Sequence, residues 1–287
     1  MAENREYRGR LAPSPTGHLH LGHARTFWLA QARARAARGT LVMRVEDLDG
    51  PRCRPEFVEA IHEDLRWFGF QWQEGPDVGG PHAPYVQSAR LPLYQSAFER
   101  LRAAGRVFPC TCSRRDILSA MSAPHAGDEE PVYPGNCRGK SSDEPTRSGE
   151  GSRVAWRFRV PDGQAVAFED GGCGSRAFVA GRDFGDFVVW RGDGWPSYQL
   201  ACVVDDAAMG ITEVVRGEDL LLSTARQLLL YGALGWAAPS FYHCQLVTDE
   251  HGIRLAKRHE ALSLRRLRES GRSPEEIRRT SGGGDWE

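Results

Sequence analysis

With 287 residues, 40% of them hydrophobic and 26% charged, the chain is long enough for one large α/β domain, or one domain with a sizeable insertion. A formal net charge of −1 excludes a globally basic nucleic-acid binder, so any RNA contact must rest on local patches. No apolar run approaches the ~20 residues a bilayer span needs, and the charged start Met1-Ala2-Glu3-Asn4-Arg5-Glu6 is no signal peptide, so a cytoplasmic protein with no membrane partner is expected. Residues 7–12 read as a short strand broken by Pro13 and Pro15. An alanine-rich helix follows over 21–38, with Gly39 as its C′ stop. Residues 40–46, TLVMRVE, form a buried-type strand. Residues 55–69 form an amphipathic helix: Phe57, Val58, Ile61, Leu65 and Phe68 keep helical spacing, Pro55 suits the first position and Gly69 ends it. A further helix covers 92–104 and stops at Gly105. Strand–helix–strand–helix order argues for a parallel sheet with crossover helices.

That order breaks at residue 106. The stretch 106–153 reads as loop, crowded with Ser, Asp, Glu, Gly and Pro at 119–151. RVAWRFRV, QAVAFED and DFVVWR then read as short strands of a small antiparallel sheet, with a turn at Gly192-Asp193-Gly194. The α/β alternation resumes at Tyr198, with a strand at 212–217, a helix at 223–235 capped by Ser223, and a strand at 241–248. A doubly wound parallel-sheet α/β fold split by an inserted β-rich subdomain is the expected architecture.

The segment LAPSPTGHLHLGHAR, residues 11–25, joins the first strand to the first helix. Backbone N–H groups at such a turn are unpaired, and the helix dipole favours an anion there. Gly17 and Gly22 let a ligand approach the backbone. His20 and His23, spaced i,i+3, share a helix face and can donate hydrogen bonds to phosphate oxygens as charge builds in a transition state.

This segment resembles the first signature of class I aminoacyl-tRNA synthetases, in their glutamyl branch, with His20-Leu21-Gly22-His23 matching the HIGH motif. RVEDLDGPR at 44–52, YQLACVVDDAAMGITEVVRGEDLL at 198–221 and RLAKR at 254–258 match further signatures in the same order, the last at the KMSKS loop. The resemblance covers roughly residues 7–260. It implies a Rossmann-like, HUP-type catalytic domain in two halves, 1–105 and 196–260, an inserted acceptor and zinc subdomain at 106–195, and a short tail at 261–287. It also implies that His20, Gly22, His23 and Lys257 meet ATP, which enters with Mg²⁺.

An amino-acid substrate presents an ammonium, a carboxylate and, for glutamate, a second carboxylate. Glu46 at a strand end suits the ammonium, Arg10 and Arg216 can each grip a carboxylate in a bidentate fork, and Tyr198 can hydrogen-bond. The resemblance implies the same four residues for L-glutamate, together with the loop Leu11, Ala12, Pro13 and Ser14. Only Lys140 and Lys257 of the 37 basic residues are lysines, which singles out Lys257 for work a guanidinium does not do. The RLAKR loop departs from the family at Arg254, where a lysine is usual, and at Ala256, where a serine is usual.

Cys110, Cys112 and Cys137 cluster, and by chemistry alone they are either three soft metal ligands or inert thiols. Shortened members of the glutamyl branch carry Cys-x-Cys followed by Tyr-x-x-x-Cys, so the resemblance implies one structural Zn²⁺ held by Cys110, Cys112, Tyr133 and Cys137. His125 or a water are the other candidates for the fourth place. Only 29 residues follow Arg258, too few for an anticodon-binding domain. This points to the shortened members, which activate glutamate without tRNA and join it to the queuosine base of tRNA(Asp). A truncated enzyme charging a tRNA 3′ end and a non-catalytic tRNA-binding paralogue are the alternatives. A monomer is expected, and the arginines at 265–279 read as a solvated tail helix rather than an RNA-facing patch.

Overall fold

The computed structural model describes residues 6–112, 132–143, 154–246, 263–280 and 286. Strand β1 (Arg8–Leu11) pairs in parallel with β2 (Thr40–Met43), and α1 (Leu21–Ala36) makes the crossover between them. Helix α2 (Pro55–Phe68) follows, with Gly69 left-handed at φ 99° as its stop, and buries Ile61, Leu65 and Phe68 against this pair. Helix α3 (Leu91–Ala103) ends before a left-handed Gly105.

Strands β3 (Val107–Cys110), β4 (Ala155–Phe158) and β7 (Phe187–Trp190) form an antiparallel sheet in the order β3-β4-β7. Strand β5 (Ala165–Asp170) and strand β6 (Gly174–Val179) form an antiparallel hairpin that belongs to another sheet. Beyond α4 (Tyr198–Ala208), β8 (Glu213–Gly217) and β9 (Ser240–Cys244) pair in parallel around the crossover α5 (Leu221–Leu234). Strand β9 in turn pairs with β5, at Phe241 and Asp170, giving the sheet order β6-β5-β9-β8. Strand β8 abuts β1, where the Thr212 N–H donates to the Arg8 carbonyl at 2.9 Å and the Arg8 N–H donates to the Thr212 hydroxyl at 2.8 Å.

One crossover leaves β1 toward β2 and the other leaves β8 toward β9, in opposite directions. The carboxyl ends of β1 and β8 therefore flank a topological switch point, the place where open α/β sheets bind ligands.

Several local expectations change. Arg38, not Gly39, takes the left-handed conformation after α1, at φ 51°. Gly39 is required for a different reason: a Cβ there would lie 2.3 Å from the Tyr7 carbonyl oxygen. Ser223 is not the cap of α5, which begins two residues earlier, and its buried hydroxyl accepts from Gln199 instead. Strand β3 lies in the stretch read as loop, because four residues that include a proline carry no periodicity. Strand β6 sits at the sheet edge, mostly exposed, and shows no apolar alternation. The regular part of the last strand ends at Cys244, and residues 247 and 248 lie outside the described residues.

The tail is not a solvated appendage. Helices α6 (Leu264–Glu269) and α7 (Pro274–Thr280) bury Leu264, Leu267 and Ile277 in the same core as Phe27, Phe68 and Phe70. Arg268 reaches Glu63 and Asp64 on α2, and the Arg278 guanidinium stacks over Trp28 at 4.4 Å. A second core joins Phe158 and Phe187 of the antiparallel sheet to Leu200, Val203 and Leu230 of α4 and α5. The inserted strands thus share apolar packing with the parallel half. Among the described residues no helix is long and apolar enough to cross a membrane.

Candidate active site

A cavity of about 490 Å³ opens at the switch point. Arg10, Ala12, Pro13, Ser14, His20, Gly22, His23, Glu46, Tyr198 and Arg216 all line it. Leu11 does not: its side chain is fully buried in the core behind the cavity. Lys257 lies outside the described residues, but both flanks of segment 247–262 reach this place. Leu246 lines the cavity, and Ser263 bridges to His20 while the Leu264 N–H donates to the Leu19 carbonyl at 2.8 Å.

One wall is the N-terminus of α1. His20 is its cap, and its Nδ1 accepts from the Gly22 N–H at 3.1 Å. The His23 Nδ1 accepts from the His20 N–H at 3.4 Å, closing a capping box made of imidazoles. The rings stack with centroids 3.8 Å apart. Since each Nδ1 is an acceptor, the neutral form of each ring carries its proton on Nε2 and presents an N–H donor. Gly22 is needed first for this cap, because a Cβ there would lie 2.9 Å from His20 Cε1.

The opposite wall is built on buried charge. Arg44, fully buried on the extension of β2, donates to Glu46 at 2.8 Å and to Asp206 at 2.7 Å. Asp206 also faces Arg10 at 3.9 Å. Its neighbour Asp205 takes Arg90 at 2.6 Å, Gln87 at 2.8 Å and Tyr94 at 2.9 Å. Three guanidiniums balance three carboxylates here, which makes so much buried charge tolerable. Burial pushes the Glu46 carboxyl up from its ordinary value, against the opposing pull of Arg44. Arg10 donates to the Val215 carbonyl at 2.8 Å and leaves its buried Nε without a hydrogen-bond partner.

Arg216, next to last in β8, is held by neutral groups. Its Nε donates to His243 Nε2 at 3.1 Å, one terminal nitrogen donates to the Thr224 hydroxyl at 2.7 Å, and the other lies 3.5 Å from the Tyr198 hydroxyl. Burial and the facing guanidinium push His243 below its ordinary value, so the ring is neutral. Burial alone would raise the Asp170 carboxyl, but hydrogen bonds from the His243 ring and from backbone N–H groups hold it low.

Sequence reasoning missed Arg44, Arg90, Asp205, Asp206, Asp170, His243 and Thr224. The adjacent acids Asp205-Asp206 inside an apolar helix were the available signal, since a carboxylate pair on a buried face needs cationic partners.

Away from the cavity, Cys110, Cys112 and Cys137 bring their sulfurs within 4.8 Å of one another, and Tyr133 Oη lies 3.4 Å and 3.7 Å from the first two. A tetrahedral zinc with ~2.3 Å bonds to sulfur needs ligand separations of about 3.8 Å, so the donor set fits a metal. Burial raises Cys112 to about 11. It would raise Cys137 too, but the Thr111 N–H, the Tyr133 hydroxyl, Cys112 and Lys140 outweigh it and hold that thiol at about 7. The guanidinium of Arg157 packs on the cluster, 3.4 Å from Cys110 Sγ and 4.0 Å above the Tyr133 ring.

The family model for class I tRNA synthetases (E and Q), catalytic domain, matches residues 6–281. The chain is 51% identical over 271 residues to the glutamyl-Q tRNA(Asp) synthetase of Symbiobacterium thermophilum, covering 94% of this chain and 83% of that protein. It is 45% identical to glutamate–tRNA ligase 1 of Halorhodospira halophila, over 93% of this chain but 56% of the ligase. A crystal structure of a glutamate tRNA ligase from Elizabethkingia meningosepticum, in complex with its amino acid, superposes with a TM-score of 0.77 at 32% identity, over 88% of this chain and 52% of that one.

Proposed function

The chain belongs to the class I tRNA synthetases of the E and Q branch, and on that premise we propose that it activates L-glutamate with ATP, without tRNA, and joins it to the queuosine base at the wobble position of tRNA(Asp). One observation carries the reading: the paired imidazoles and the group Arg10, Glu46, Tyr198 and Arg216 line a single cavity at the switch point. The similarity to a glutamyl-Q tRNA(Asp) synthetase over more than four fifths of that protein's length supports the choice of acceptor.

Two arginines and one glutamate mirror the charges of glutamic acid, which carries two carboxylates and one ammonium. Arg10 and Arg216 take the carboxylates as bidentate forks, Glu46 takes the ammonium, and Tyr198 closes the pocket with the loop from Leu11 to Ser14. Glutamine would leave one buried guanidinium without its anion, a cost the site cannot recover elsewhere. MgATP lies with its phosphates on the N-terminus of α1, where the Nε2–H donors of His20 and His23 meet the developing charge and Gly22 admits the adenine.

The glutamate carboxylate attacks the α-phosphate in line. A new oxygen–phosphorus bond forms, the bond from the α-phosphorus to the bridging oxygen breaks, and pyrophosphate leaves with that electron pair. Lys257 supplies a compact cation to the α-phosphate and the leaving group. In the second step a hydroxyl of the modified base attacks the adenylate carbonyl, releases AMP and forms the ester. No protein nucleophile is needed, because positioning and preorganised donors carry the barrier reduction.

Cys110, Cys112, Cys137 and Tyr133 would hold one structural Zn²⁺, which when bound ties β3 to the segment 132–143. A one-to-one zinc content lost in Cys110→Ser tests this.

The function is tested by glutamate-dependent ATP–pyrophosphate exchange without tRNA, abolished in Lys257→Ala, and by labelled glutamate transferred to queuosine-containing but not queuosine-free tRNA(Asp). Equal labelling of both tRNAs counts against the assignment. Charging of a glutamate tRNA 3′ end would favour the ligase reading instead.

A further inference from the structure

We propose that Asp170 and His243 are positioning residues for substrate recognition: through one imidazole they hold the Arg216 guanidinium by its Nε edge, in register with the cavity, while leaving the Nη1 side of its fork for an anionic ligand. The inference rests on the reading that Arg216 grips a carboxylate of glutamate.

The geometry fixes the tautomer of the imidazole. Asp170 Oδ1 accepts from the backbone N–H groups of Gly172 at 3.0 Å, Cys173 at 2.8 Å and His243 at 3.0 Å. Oδ2 lies 2.5 Å from His243 Nδ1. An acceptor-only carboxylate makes Nδ1 the protonated nitrogen and turns the Nε2 lone pair toward the Arg216 Nε–H. Arg216 also donates to Thr224 Oγ1, whose own hydroxyl is 3.1 Å from His243 Nε2 and 3.3 Å from the Leu220 carbonyl. Every group then has a partner, and the chain of contacts crosses the carboxyl ends of three neighbouring strands, β5, β9 and β8.

Arg216 differs from the other buried arginines of the site. Arg44 and Arg90 each hold carboxylates at 2.6–2.8 Å. Arg216 is equally buried, yet among the described residues no carboxylate lies within 4.0 Å of it. A carboxylate in direct contact would occupy the fork. Placed one ring away, Asp170 orients the guanidinium and offsets part of its charge without competing for the face that receives a substrate.

The test measures KM for glutamate and for ATP in tRNA-free pyrophosphate exchange, with Tm as a check on folding. In Asp170→Asn the backbone donors keep the amide oxygen, the amide N–H₂ faces Nδ1, and the ring proton moves to Nε2 against the Arg216 N–H. Glutamate KM is expected to rise about tenfold, the cost of one mismatched hydrogen bond to a charged group, with ATP KM within twofold. His243→Asn, too short to reach Arg216, should behave alike, whereas His243→Gln, whose amide oxygen falls near the place of Nε2, should recover most of the loss. Should Asp170→Asn fail to fold, the isosteric Thr224→Val removes the other anchor and is read by the same split. Glutamate KM within twofold of wild type in folded Asp170→Asn and His243→Asn would overturn the inference, as would parallel rises for both substrates. Wild-type protein without glutamate-dependent exchange would remove the parent reading itself, and this inference with it.

Discussion

The two walls of the cavity are built by opposite means. The imidazole wall is local: His20, Gly22 and His23 lie within four residues, and backbone N–H groups of the same helix start set both rings. The guanidinium wall draws Arg10, Glu46, Tyr198 and Arg216 from four segments, and the groups that fix them, Asp206 for Arg44 and Asp170 for His243, lie 162 and 73 residues away. A wall set by its own helix should fail alone and mildly. A wall held by a buried charge network should fail with the fold around it.

The largest effect is expected where that network is cut. Arg44→Met leaves Glu46 and Asp206 buried without their cation and should cost about 3–5 kcal/mol of stability, read by urea unfolding. A loss below about 1 kcal/mol would mean the network does not support the wall. Arg216→Lys keeps the charge but loses the fork, and kcat/KM for glutamate should drop roughly 10²-fold, with a smaller loss of stability than in Arg44→Met. Gly22→Ala pushes a methyl against the His20 ring. ATP KM should rise about tenfold, glutamate KM should hold, and about 1 kcal/mol of cap energy should be lost. Combined with Arg216→Lys its effect should add, since among the described residues no hydrogen bond joins the His20 or His23 ring to the Arg216 guanidinium; strong non-additivity would break the comparison.

The smallest effect is a pH slope. The folded-state pKa of His243 is lowered from 6.5, so as pH falls through that value the unfolded chain takes up a proton that the folded protein refuses. Stability from this group is therefore full above pH 6.5 and declines below it, until the folded ring also protonates. His243→Gln should flatten the fall of Tm between pH 7 and pH 5 relative to wild type; identical slopes would place the titrating group elsewhere.

The sequence by itself determined what depends on near neighbours. Helical spacing, proline and glycine punctuation, and the i,i+3 histidines act over a few residues, so α2, the start of α1 and the alternation of strands and helices were legible, and the charges of an amino-acid substrate together with the likeness to a known family pointed to Arg10, Glu46, Tyr198 and Arg216. Strands β3 and β6, the docking of α6 and α7, and the pairing of β5 with β9 depend on partners elsewhere and left no local pattern. Only the tertiary structure decided which of 35 arginines are buried cations with assigned partners. It alone set His243 between Asp170 and Arg216, because a guanidinium takes its role from whatever carboxylate or imidazole the fold places at hydrogen-bond distance, and that distance is not written in any short stretch of chain.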